Sequence, residues 1–507
     1  MTKKKKSQSR YSNLDRHQRQ GQLLQAPFNK VSNLKKSSWV NECIPNVLWA
    51  CILVTFLDRK VALNLFRSVV INTRKHIANY KEMLVTHNAL SQLSEQDFDA
   101  MFKLVFDNEQ AKKTLSALLL IDCLPDKHHW IRHLPSPEEK DASILYYAVG
   151  TCFDHQSQES TDIRWLKVMH LICTERLFYP PEMAERMEEF RVYPDKGDMR
   201  SVRPSIRAME MAYRALEEGT EGNIKLSQPH QELFWKEMLR KTGCIFAARK
   251  ELPDLPNPEI RMAIFDVLKD AALHFDTILD NTGVDARLDS SFGLVMYACT
   301  MALNSAMSHS HTMVEGRLIL RTIMECFVTL HFLKYKDDST IWHQYRTYGS
   351  SQAKLAFLKN VDLEQTPEFL DIKLIENLAT EDMWLEYQDI NLGVWANKNL
   401  RALATECGVK EVYDKYYDWS SGYAHANWIC VRDTVFAMCT NPLHRFHRFP
   451  ITPRMDMPSI LPDACKLINR MLDDLNALYP AFKPRLKSYT LQEAYAEKAQ
   501  DVKENAG

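Results

Sequence analysis

The sequence predicts an all-α fold, on three observations: glycine is scarce, apolar residues recur at helical spacing, and helix-start residues precede the periodic runs. Glycine occurs 14 times in 507 residues, well under half the usual share of about 7%. Tight hairpins and phosphate-cradling loops consume glycine, whereas long helices avoid it. Apolar residues at 45% and charged residues at 25% are ordinary globular values, so a large core can be buried. The length suits two domains better than one.

Residues 1–38 read as a basic, disordered tail. The first 40 residues hold ten Lys or Arg and one acid, Asp15, although the whole chain carries a net charge of −1. The four lysines at 3–6, with Arg10, Arg16 and Arg19, lie among Gln, Ser and Asn. Such a segment buries too little apolar surface to fold alone. It reads either as a nucleic-acid contact, through phosphates and counterion release, or as a plain solvated tail.

An N-terminal helical domain is expected over 39–248, with helices at 45–56, 60–80, 94–106, 109–121 and 181–190. Pro45 and Pro181 suit first helical turns, and Ser94 ahead of Glu95 and Asp97 marks a start. Phe98, Met101, Leu104 and Val105 then recur at helical spacing. The longest apolar run, 47–56, is about half the ~20 residues needed to cross a bilayer. No membrane span and no signal peptide is therefore expected. The twelve cysteines include no C-x-x-C pair. They read as small buried hydrophobes in a reducing, cytoplasmic setting, with neither a disulfide framework nor a metal site.

Three prolines within 253–258 forbid a continuous helix and make 249–258 the expected linker. A C-terminal helical domain follows over 259–480, with helices at 259–279, 290–308, 313–335, 341–360, 381–385, 398–406, 411–439 and 462–478, and a polar tail over 481–507.

Chemistry is expected on two of these helices. On 313–335, apolar side chains cover nearly the whole circumference, yet Arg317, Arg321 and Glu325 form one charged line at i, i+4 and i+8. Charges on a buried helix must be paired or face a polar cavity. The line therefore reads either as a packing bridge or as the wall of an anion-binding cleft. On 411–439, Asp414, Asp418, Ser421, His425 and Arg432 share one face. Gly422 beside them costs a helix about 1 kcal/mol relative to Ala and permits close approach of another helix or a ligand.

The segments Arg321-x-x-x-Glu325 and Ser421-x-x-x-His425 resemble a bacterial family of all-helical proteins that is similar in turn to the HEPN class (higher eukaryotes and prokaryotes nucleotide-binding). The resemblance covers about 259–440. It implies a metal-independent endoribonuclease, acting in phage defence or abortive infection as a toxin, and working as a homodimer. The 2′-hydroxyl of RNA would be the nucleophile and His425 the base or acid. Arg321 would bind the scissile phosphate, oriented by Glu325, with a hydrogen bond from Ser421. No arginine precedes His425 at the usual HEPN spacing, so the cation would come from the neighbouring helix. Arg317, Arg432, Arg445 and Arg448 are the expected substrate contacts, the last two in the basic segment 444–450.

No cofactor and no metal is expected. His309 and His311 form an H-x-H pair, but no H-E-x-x-H motif, Walker motif or G-x-G-x-x-G occurs. The competing expectation is a non-catalytic helical module that binds protein and uses its polar stripes only to pack.

Overall fold

The computed structural model describes residues 14–27, 38–177, 181, 184–195, 199–221, 230–246, 257–280, 283–381, 383–445, 447–451 and 457–487. The fold is all-α, as the scarcity of glycine implies. The chain divides into two compact units: Met1–Ala247 with Met438–Arg448, and Ala248–Ala437 with Phe449–Gly507. The lysine run at 3–6 and most of the proline-rich linker lie outside the described residues. Within the expected tail, Gln18–Gln20 pairs antiparallel with Leu23–Gln25. Gly21, at φ +58°, makes this two-residue turn, for which a positive φ is required. The tail is thus not wholly without structure.

The first unit is built on α1 (Leu48–Phe56), α2 (Arg59–His76), α3 (Glu95–Phe106), α4 (Ala142–Phe153), α5 (Gln158–Cys173), α6 (Met199–Glu221) and α7 (His230–Lys241). Helix α1 is apolar all round, and Leu48 to Leu53 are fully buried between α4 and α5. The expected single helix over 45–56 is broken, because Val47 leaves helical geometry at φ −128° and ψ 32°. The short pieces Trp39–Asn46 and Leu48–Phe56 meet at 86°. Indole hydrogen bonds hold both arms: Trp39 donates to the Cys152 carbonyl and Trp49 to that of Val85. Among the described residues no single helix is long and apolar enough to cross a membrane.

Helix α5 carries charge into this core. Asp162 accepts from Arg59 at 2.7 Å, and Lys167 and Arg214 each donate to Glu210 at 2.8 Å. Pairing is what makes such burial tolerable. Burial works to raise the Glu210 carboxyl, but Lys167, Arg214 and Arg164 outweigh it and hold it at about 2.

The second unit contains α8 (Asn257–Ile278), α9 (Ala286–Met307), α10 (Val314–Lys336), α11 (Ser339–Asn360), α12 (Ile372–Ala379), α13 (Leu400–Glu406), α14 (Lys410–Ala424), α15 (Trp428–Val435) and α16 (Leu461–Leu478). Helix α10 is central and packs on α9, α13, α14 and α16. Its first turn needs glycine. A Cβ on Gly316 would sit 2.8 Å from the Ser310 carbonyl oxygen and 2.9 Å from that of His311.

Two helix expectations are corrected here. The described residues of the expected helix 381–385 are not α-helical; the 3-10 turn Leu385–Tyr387 follows them, while α12 lies just upstream. The expected helix over 411–439 is three elements: α14, α15 and the strand Phe436–Met438. Ala426 takes a left-handed φ of +48°, and the Asn427 side chain then accepts from the Ile429 amide to start α15. The strands Phe436–Met438 and Arg448–Pro450 form a two-stranded sheet. Between them Met438–Arg448 returns to the first unit, so the basic segment is no simple interhelix loop of the C-terminal domain.

Candidate functional site

Helices α10 and α14 pack side by side, and the charged line of α10 lies along that contact. Arg317 is buried. Its guanidinium donates to the His311 carbonyl at 3.3 Å and to the Pro458 carbonyl at 2.6 Å. These bonds tie the carbonyl of His311, just ahead of α10, and that of Pro458, just ahead of α16, to the one guanidinium, a structural task for Arg317. Arg321 donates from Nε to Glu325 at 2.9 Å and from an Nη to the Tyr417 hydroxyl at 3.4 Å. Its guanidinium carbon lies 5.0 Å from the centre of the Tyr417 ring, which in turn stacks on Tyr413 at 4.5 Å. The expected Arg321–Glu325 pair therefore forms, and it forms against an aromatic stack.

The register of the two helices decides what Arg321 can share. Arg321 meets Tyr417, while Arg317 lies near Tyr423, whose phenol burial and Asp433 push up to about 12 against the opposing charge of Arg317. The helices are thus antiparallel. His425 lies eight residues beyond Tyr417, roughly 12 Å along the axis at about 1.5 Å per residue. His425 caps the end of α14, where its amide donates to the Ser421 carbonyl at 3.1 Å, and its side chain is exposed. Ser421 is half-buried one turn earlier. No hydrogen bond joins Arg321 or Glu325 to Ser421 or His425 among the described residues.

The glycine in this stripe has a definite cause. A Cβ on Gly422 would lie 2.7 Å from the Cys430 Sγ of α15. The close approach is by a helix that folds back after the turn at Ala426, and no ligand is needed to explain it. Around that turn Trp419 is 55% exposed, Trp428 54% and Ile429 44%. Helix α14 also shows Glu411, Asp414 and Asp418 to solvent, with Lys415. Local pattern does not reveal this exposed apolar surface, because the periodicity places Trp428 and Ile429 inside one long expected helix over 411–439.

Arg432 is half-buried on α15, one turn after Trp428. Arg445 and Arg448 are exposed and belong to the first unit, where the Arg445 guanidinium lies 5.5 Å from the centre of the Trp235 ring. Two further histidines of the second unit, His311 and His331, serve its packing. His311 Nδ1 meets the Ser459 hydroxyl at 2.9 Å, and His331 pairs at 2.8 Å with Asp474, which also holds Lys334. An open depression of about 450 Å³ is lined by Asp285, Arg287, Asp337, Trp342 and His343, and by none of the expected catalytic residues.

Comparison with curated proteins and with solved structures finds no match. A family of unknown function, DUF5677, matches residues 296–438, the stretch that carries both the Arg321–Glu325 pair and the Ser421–His425 turn.

Proposed function

We propose that the second unit is a non-catalytic helical module that binds protein through the exposed surface at the α14–α15 turn, with a second copy of this chain as its partner. The observation that carries this reading is the trio Trp419, Trp428 and Ile429, each about half in water, on α14 and the first turn of α15. Clustered exposed aromatic residues are what a protein interface buries at its centre. The acids beside them on α14 suit a protein better than a polyanion, which basic surfaces bind. The arginine and glutamate that catalysis would need are engaged with each other and with Tyr417. Sedimentation of the intact chain tests this. A dimer that Trp419→Ala/Trp428→Ala converts to monomer is expected; a wild type that stays monomeric at every concentration, or a dimer indifferent to the change, contradicts it.

A second reading, a metal-independent endoribonuclease of phage defence, is favoured by one observation: the His425 imidazole is open to solvent between Trp419 and Trp428 along the chain. Indole rings can stack on unpaired bases, and Arg432 would then meet the phosphate. The basic tail would add nucleic-acid affinity. On either reading the proposed location is the cytoplasm, where the twelve cysteines, none of them in a disulfide, stay reduced.

A further inference from the structure

We infer that the first unit holds a zinc-type metal site formed by Cys244, Cys439 and His444. Cys244 lies just past the end of α7, and the other two arrive with the returning segment Met438–Arg448. The His444 Nδ1 is 3.4 Å from the Cys439 Sγ and 3.6 Å from the Cys244 Sγ, and all three ligand atoms lie within 4.8 Å of one another. A tetrahedral zinc with Zn–S of about 2.3 Å and Zn–N of about 2.0 Å requires S···N edges of roughly 3.5 Å. Both S···N edges already have the size that such an ion needs.

The surroundings orient the donors. His444 Nε2 lies 3.1 Å from the Thr242 carbonyl oxygen and 2.9 Å from the Thr242 hydroxyl. A carbonyl can only accept, so Nε2 carries the proton and the Nδ1 lone pair faces the two sulfurs. This is the outer-shell bond that metal-bound histidines ordinarily make. The Ile245 amide donates to the Cys439 Sγ at 3.3 Å, as suits a thiolate. Asn441 fixes the frame by donating to the Gly243 carbonyl at 2.8 Å, and the Thr440 amide donates to the Ile245 carbonyl at 2.8 Å. Cys439 and His444 are buried while Cys244 is exposed, so the fourth position opens to solvent and takes water or an added ligand. Three protein ligands and one open position make a site able to bind a small donor molecule as well as to tie the segment down. Two ligands lie about 200 residues from the third in sequence, which is why no short spacing motif announces them.

The test uses the intact, reduced chain stripped with a chelator, then titrated with Zn²⁺ and, separately, with Co²⁺. One equivalent of zinc per chain and thiolate-to-cobalt charge-transfer absorption are expected. Cys244→Ser should weaken zinc binding about 100-fold or more, on the scale set by losing even an outer-shell partner. The serine sits at an exposed position, so circular dichroism should show an unchanged fold; Cys439→Ser and His444→Ala should abolish the charge-transfer band. Failure of the reduced wild type to take up stoichiometric metal would overturn the site, as would variants that bind as well as the wild type.

Discussion

Arg321 shows how one residue decides between chemistry and packing. Its charge bridges to Glu325 on its own helix and lies over Tyr417 of the next. A half-exposed i,i+4 pair contributes about 0.3–0.5 kcal/mol and a cation–π contact about 0.5–1. Arg321→Ala should therefore cost about 1 kcal/mol of stability in a urea titration of the intact chain; an unchanged midpoint would argue that the contact is idle. Gly422 is the complementary case. Alanine there would gain about 1 kcal/mol of helix propensity but collide with the Cys430 sulfur. Overpacking of this kind costs about 1–3 kcal/mol, so Gly422→Ala should destabilise. Cys430→Ala added to it should restore more stability than Cys430→Ala removes from the wild type. Simple additivity of the two changes would count against the contact. The Arg321–Glu325 bridge was legible in the sequence, since i and i+4 meet on any helix. That Tyr417 lies beneath it was not, because the register between helices is set by packing across a hundred residues.

At the scale of elements, start signals were the most readable feature. Ser94 caps α3, its hydroxyl accepting from the Asp97 amide at 3.1 Å, as its place before two acids implies. The same logic should have ended α14 early. Asn427 is an N-cap in the middle of an apolar, aromatic stretch, and periodicity alone carried the expected helix past it. Asn427→Ala should cost about 1 kcal/mol and loosen α15 selectively, read as faster amide exchange over 428–435 than over 410–424; equal exchange in both would show that the turn does not depend on the cap. The break matters functionally, because it turns His425 from a mid-helix side chain into a helix end and brings Trp428 and Ile429 to the surface. The bend at Val47 has a similar origin, since a run of apolar residues reports burial but not direction.

For the whole molecule, composition was sufficient to give the all-α class, but the returning segment Met438–Arg448 could not be read from local pattern. The first unit also carries a pH dependence. Burial holds His170 at about 3 and His230 at about 4, both below 6.5. Glu210 is held at about 2, below 4.5. All three folded values are depressed, so their stabilisation is complete above the unfolded values and is lost as pH falls. The histidine share goes between 6.5 and about 3, and the Glu210 share, about 3 kcal/mol, between 4.5 and about 2. Urea midpoints should fall steadily from pH 7 to pH 3; a flat profile would contradict the buried pairing.

On the proposed function, the polar stripes of α10 and α14 pack the second unit and do not catalyse. The direct measurement is incubation of the intact chain with total RNA in excess EDTA, beside His425→Ala. Both proteins should leave the RNA whole. Cleavage by the wild type to 2′,3′-cyclic phosphate ends, lost in the variant, would contradict it and install the ribonuclease reading in its place.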